Sequence, residues 1–234
     1  TIIQDENRVF SLFEEGKVDF IGEPFGEIPI NTAPFLGKQK IVASVIWYEI
    51  NTDLPILRNR NIRLALSKAI DRTSVAFKIS HKAFKPSIGL TPNAIPINPS
   101  IGLVPSIMRV SPECFISPHS ELKESQALFA QGLKEEGVAI EEVPSFNLIY
   151  YNKEFNKKLA QAIQEDWLQN LGIKLSIQGM ELKPFLDKRN QQDFEIAQLG
   201  LIPSTTDPVN HLEIFRVANP KLGKNDTGWE DPEY

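Results

Sequence analysis

The chain's 234 residues, 41% hydrophobic and 24% charged, are long and apolar enough to bury a core as one large domain or two small ones. A formal charge of −5, with no basic cluster beyond two or three residues, excludes a phosphate-tracking surface and sets nucleic acid aside as a partner. The single cysteine, Cys114, rules out an intramolecular disulfide, no Cys/His spacing suggests zinc, and no apolar run approaches the ~18–20 residues needed to span a bilayer.

In chain order, Asp5 to Glu15 places Val9, Leu12 and Phe13 on one helical face, with Gly16 in position to end the helix. Val18 and Phe20 alternate in "KVDFI" and predict a short strand. "IVASVIWYEIN", Ile41 to Asn51, is β-branched and aromatic almost throughout and predicts a long central strand. Ile62, Leu66 and Ile70 then recur every four residues, with Ala65 and Ala69 beside them, as on a core-facing helix. Asp71 or Thr73 is placed to cap a second helical segment.

Residues 86–118 differ from the rest. Seven prolines fall in this stretch and block both helix and central strand, which predicts a long, stiff connection. A helix over Ser120 to Glu136 should stop at Gly137. "SFNLIYYN" reads as a strand. The stripe Leu159, Ile163, Trp167 and Leu171 reads as a helix ended by Gly172, and Ile173, Leu175 and Ile177 alternate as a strand. "LKPFLDKRN" predicts a further helix before the apolar strand "FEIAQLGLI". Two successive crossovers imply an α/β fold with a mixed, mostly parallel sheet and flanking helices.

Ligands of open α/β sheets bind beyond the carboxyl ends of strands, and "FEIAQLGLI" delivers its end into "PSTTDP". Gly200 suits close approach by another backbone or a ligand, Ser204, Thr205 and Thr206 offer hydroxyls, and Asp207 offers a carboxylate. The same residues also read as a turn in which Thr206 or Asp207 caps a helix beginning near Pro208, and both readings hold together. A hydrolytic set of Ser204, His211 and Asp207 lacks the G-x-S-x-G elbow, and turn chemistry explains these residues more simply. "NDT", Asn225 to Thr227, matches a glycosylation acceptor, a weak pattern.

Five stretches in order resemble the oligopeptide, dipeptide and nickel solute-binding proteins of ABC transporters: "FSLFEEGKVDFIGEP", "WYEINTDLP" with "NIRLALSKAIDRTSV", "LAQAIQEDWLQNLGIKLSIQGMELKPFLDKR", "DFEIAQLGLIPSTTDPVNHL" and "NDTGWEDPEY". The resemblance implies that residues 1–234 form a single lobe of a two-lobed, hinge-closing receptor of the type II periplasmic-binding-protein architecture. That lobe would be truncated at both ends and would contain the Pro-rich 86–118 connection. It implies a peptide or peptide-like ligand held by strand-like hydrogen bonds from Gly200, Leu201 and Ile202, delivery to ABC permease subunits, no cofactor and no catalysis. The parent would be exported to the periplasm or the extracytoplasmic face, and in many members it is lipid-anchored. This sequence departs from the family at the pocket: Ser204 stands where an ammonium-pairing aspartate is usual, Leu201 and Leu182 replace aromatics, and Asn156 stands where some members carry a histidine. Asp207 could take over the missing charge. Otherwise the ligand is a modified or cell-wall peptide, or a nickel complex.

Overall fold

The computed structural model describes residues 6–21, 44–80, 86–87, 116–201, 213–215 and 225–230. Four strands, β1 (Val45–Ile50), β2 (Phe146–Tyr151), β3 (Leu175–Met180) and β4 (Ile196–Leu201), form one sheet in the order β1-β4-β2-β3. β2 runs parallel to both β3 and β4, and β1 lies antiparallel to β4. The helices are α1 (Glu6–Glu14), α2 (Arg60–Lys68), α3 (Arg72–Ser80), α4 (Leu122–Glu136), α5 (Glu154–Leu171) and α6 (Leu182–Asn190). This is the mixed, mostly parallel α/β sheet expected from the crossovers.

The period-2 alternation of the strands sends side chains to two faces that are covered differently. On one face Phe146, Leu148 and Tyr150 of β2, Leu175 of β3 and Ile196 of β4 pack under α5 and join a core that includes residues of α2, α3 and α4. α5 buries Ala160, Ile163, Trp167 and Leu171, one stripe at helical spacing. It ends where Gly172 turns left-handed at φ 71, a conformation that costs glycine little. On the opposite face Ile149 and Ala197 meet Phe185 of α6 and Phe194, a much smaller cluster.

Polar contacts fix the helical layer. Trp167 Nε1 donates to Leu66 O at 2.9 Å and Ser125 Oγ to Ala65 O at 2.8 Å, so two buried donors are satisfied by the end of α2. α2 and α4 cross closely at Gly132, where an added Cβ would lie 2.5 Å from Ile62 Cγ1 and 3.1 Å from the Ile62 nitrogen. Asn59 caps α2 by accepting from the N–H groups of Asn61 and Ile62. Asp71 caps α3, accepting from Ser74 N–H at 2.7 Å, while Thr73 turns its N–H and hydroxyl to Pro118 O.

Three expectations change. "KVDFI" forms no strand, and Phe20 stands 56% exposed: two alternating residues are too short a run to specify a strand by themselves. Among the described residues β1 spans only Val45–Ile50, with Ser44 and Asn51 outside it, and lies at the edge of the four strands, not at their centre. Ile70 falls beyond the end of α2 yet stays buried. Of the Pro-rich connection, only 86–87 and 116–118 are among the described residues.

Candidate functional site at the carboxyl rim of the sheet

Because β2, β3 and β4 run parallel, their carboxyl ends, Tyr151, Met180 and Leu201, share one rim, and the start of β1 joins them through the Val45↔Leu201 pair. This rim gathers four of the predicted site residues: Gly200 and Leu201 at the end of β4, Asn156 in the first turns of α5, and Leu182 at the start of α6. Ile202, Ser204 and Asp207 lie outside the described residues, as do Thr205, Thr206, Pro208 and His211.

Backbone direction separates Gly200 from Leu201. Asn51 N–H donates to Glu195 O at 2.9 Å, one residue beyond the Ile50↔Ile196 pair, and so marks 51/195 as a hydrogen-bonded pair of the antiparallel ladder. Such pairs recur every second residue, which places the amide and carbonyl of Leu201 toward Val45. Those of Gly200 therefore point the other way, toward the β2 side. There, among the described residues, the ladder between β4 and β2 covers only Ile196 and Ala197.

Continuing that ladder would bring Gly200 N–H to the carbonyl of Tyr151. This carbonyl instead accepts from Asn156 Nδ2 at 2.8 Å, and the chain turns away from the sheet into α5. Gly200 itself is exposed. A Cβ there would meet Ile46 Cγ1 at 3.5 Å, an ordinary contact, so packing within the sheet does not demand the glycine. Among the described residues, the rim thus holds a short length of backbone, at Gly200, that faces away from β1 beyond the end of the β4–β2 ladder.

Asn156 is a strut between strand ends: its Oδ1 accepts from Gln198 Nε2 at 3.0 Å while its amide holds Tyr151 O. Gln198 is buried, and its Oε1 has no partner among the described residues. Leu182 is 49% exposed, on the far side of β2 from β4, so about two strand spacings, ~10 Å, separate β3 from β4 at the rim. Lys153 lies over the Tyr151 ring at 5.6 Å between them. Among the described residues no group of three or more His, Cys, Asp or Glu side chains is arranged to hold a metal ion.

Two further features were not anticipated. An apolar cavity of about 500 Å³ lies along β1 against α2, α3 and α5, lined by Tyr48, Leu66, Val75, Leu159 and Trp167 among others; of the described site residues, Asn156, Leu182, Gly200 and Leu201 do not line it. Burial there pushes the Tyr48 hydroxyl pKa far up, so it remains a neutral donor. On the α6 face, Arg189 holds the buried carboxylates of Glu49 and Asp226 at 2.9 and 2.7 Å. The sequence signals for this cluster were a lone charge inside "IWYEI" and an arginine near the end of "LKPFLDKRN". Asn225 of the "NDT" pattern is 1% exposed and accepts from Thr227 N–H and hydroxyl, so it is a structural residue and not a glycan acceptor.

Residues 1–222 match the family described as bacterial extracellular solute-binding proteins, family 5 Middle. The oligopeptide-binding protein OppA of Bacillus subtilis (strain 168) is 31% identical over 239 residues, covering 100% of this chain and 42% of that protein. Among solved structures, a periplasmic oligopeptide-binding protein of Borrelia burgdorferi superposes with TM-score 0.77 at 20% identity, over 100% of this chain and 43% of its own. Peptide-bound OppA of Listeria monocytogenes superposes with TM-score 0.76 at 20% identity, over 100% of this chain and 45% of its own. The chain spans less than half the length of these relatives, and the two superpositions establish the fold.

Proposed function

Since the chain belongs to the bacterial extracellular solute-binding proteins of family 5, we propose that it supplies part of one lobe of a two-lobed receptor that grips a peptide or peptide-like solute for an ABC importer. Residues 1–234, with the Pro-rich connection 86–118, belong to that single lobe. The parent works outside the cytoplasm, peripheral to the membrane, and hands its solute to permease subunits. A lipid anchor on the parent would hold it near them.

The observation that carries this reading is Gly200: its amide and carbonyl face away from β1 at the point where the ladder to β2 has stopped. An extended ligand laid along the rim takes up those groups as an added strand would, a mode that tolerates varied ligand sequences. Ile202 extends the backbone pairing, and Leu201 and Leu182 contribute apolar walls. Ser204 accepts from the ligand's ammonium group without a charge, and Asp207 supplies the charge if it reaches the same group. Asn156 shapes the rim through its bond to Tyr151, with both ends of its amide engaged. Modified or cell-wall peptides would use the same backbone contacts. Ser204, His211 and Asp207 take no catalytic part.

Calorimetry on the full-length parent tests this with a peptide series N-methylated at one position at a time. One position should lose about tenfold or more in affinity, since a hydrogen bond and its desolvated partner are removed together. Even tolerance of methylation at every position would refute the backbone-pairing mode. N-acetylation of the ligand separates the two acceptors: a small loss points to Ser204 alone and a large one to Asp207. The chain without the rest of its receptor should bind the same peptides far more weakly, because one face supplies only part of the contacts.

A further inference from the structure

The Glu49, Arg189 and Asp226 cluster has a charge imbalance that the rim does not use. Arg189 donates from Nη2 to Glu49 Oε2 at 2.9 Å and to Asp226 Oδ2 at 2.7 Å, and from Nε to the same Glu49 oxygen at 3.2 Å. The three side chains are 9%, 1% and 4% exposed. One guanidinium faces two carboxylates in a site closed to water, and Asp226 Oδ1 has no partner among the described residues.

We propose that this cluster is a proton-loaded latch: one proton shared by the two carboxyls holds the 225–230 segment against β1 and α6, and loss of that proton loosens the attachment. Among the described residues the surrounding groups offer no second cation. β4 places Ala197 opposite Glu49, and α6 adds the Phe185 ring beside Arg189. Gln192 turns its amide to the Asp226 carbonyl at 3.4 Å, and Asn51 is committed to the carbonyls of Gln192 and Phe194. Lys188, the neighbouring cation on α6, is paired with Asp193 at the surface. Asp53 faces the segment at Gly228 and adds a further acid.

Two buried carboxyls on one guanidinium titrate as a pair, so the proton belongs to both. Burial pushes Glu49 up to about 7, with Arg189 opposing and Asp226 reinforcing the rise, and burial raises Asp226 against the pull of Arg189. A carboxyl whose folded value is raised stabilises the fold fully below its unfolded value. That contribution is lost as pH rises through the folded value. The latch is therefore closed in mild acid and weakened above neutrality. The pair should lower the folded-to-unfolded ratio by about tenfold or more across this window.

The test is denaturant unfolding of the chain and of Glu49→Gln across pH, with hydrogen exchange at the Thr227 and Trp229 amides. The glutamine is neutral at every pH and still accepts from Arg189. Its stability relative to the unmutated chain should rise with pH by tenfold or more, and the exchange at Thr227 and Trp229 should lose its extra pH dependence. If Glu49→Gln is destabilised by the same factor at every pH, both carboxylates are ionised throughout and the proposal falls. Should that variant not fold, infrared spectroscopy of the unmutated chain decides. A neutral carboxyl band that persists in mild acid and bleaches above neutrality supports the latch, and its absence in mild acid overturns it.

Discussion

The two faces of the sheet are held by different forces. Under α5 the sheet is covered by a broad apolar layer in which the polar atoms of Trp167 and Ser125 find backbone carbonyls. Under α6 the cluster is small, and an arginine with two acids does much of the attaching. Dispersion and burial are indifferent to pH, whereas a buried ion cluster is not. The face that carries more apolar area should set overall stability, and the thinner face should decide how stability responds to conditions.

The comparison can be broken most forcefully at Trp167. Trp167→Ala removes a 1% exposed ring and orphans the Leu66 carbonyl, for a loss of about 3–5 kcal/mol that is the same at every pH. A loss that varied with pH would undo the contrast. Arg189→Met on the other face should cost about as much, ~3–5 kcal/mol, in mild alkali and distinctly less in mild acid. The sign follows from the two carboxylates left together in a dry site: their protonation is favoured in the fold, so stability drains away as pH rises. Thermal melts at two pH values check both variants. Gly132→Ala sharpens the picture of the α2–α4 seam, since the new methyl meets the Ile62 backbone; about 1–3 kcal/mol should be lost. Gly172→Ala should cost only ~1 kcal/mol, a conformational penalty alone, because nothing lies within 4 Å of the added carbon.

How far the sequence reached depended on whether the determining contacts are local. α5, its stop at Gly172 and the alternation of β3 were readable because helix period, capping and strand period are set within a few residues. β1 was misplaced because an apolar run reports burial without saying what does the burying: in "VIWYEI", helices cover one side of the strand and the 225–230 segment lies near the other. The carboxyl rim was readable from the rule for strand ends. The opposed directions of Gly200 and Leu201 were not, because they depend on the register with β1, fixed by residues some 150 positions away. Glu49 stood out as a charge among apolar neighbours, but its partners come from 140 and more residues downstream.

Arg189 also indexes β1. Side chains alternate strictly along a strand, so slippage of β1 past β4 by one step would swing Glu49 off the guanidinium and into the hydrocarbon beneath α5, while Tyr48 would turn toward the cation. The slip would leave Glu49 without its counterion and Arg189 with Asp226 alone. A single buried arginine therefore dictates the alignment of the only antiparallel neighbour among the described strands, a choice that the oily residues around it, nearly interchangeable in size and greasiness, would leave open.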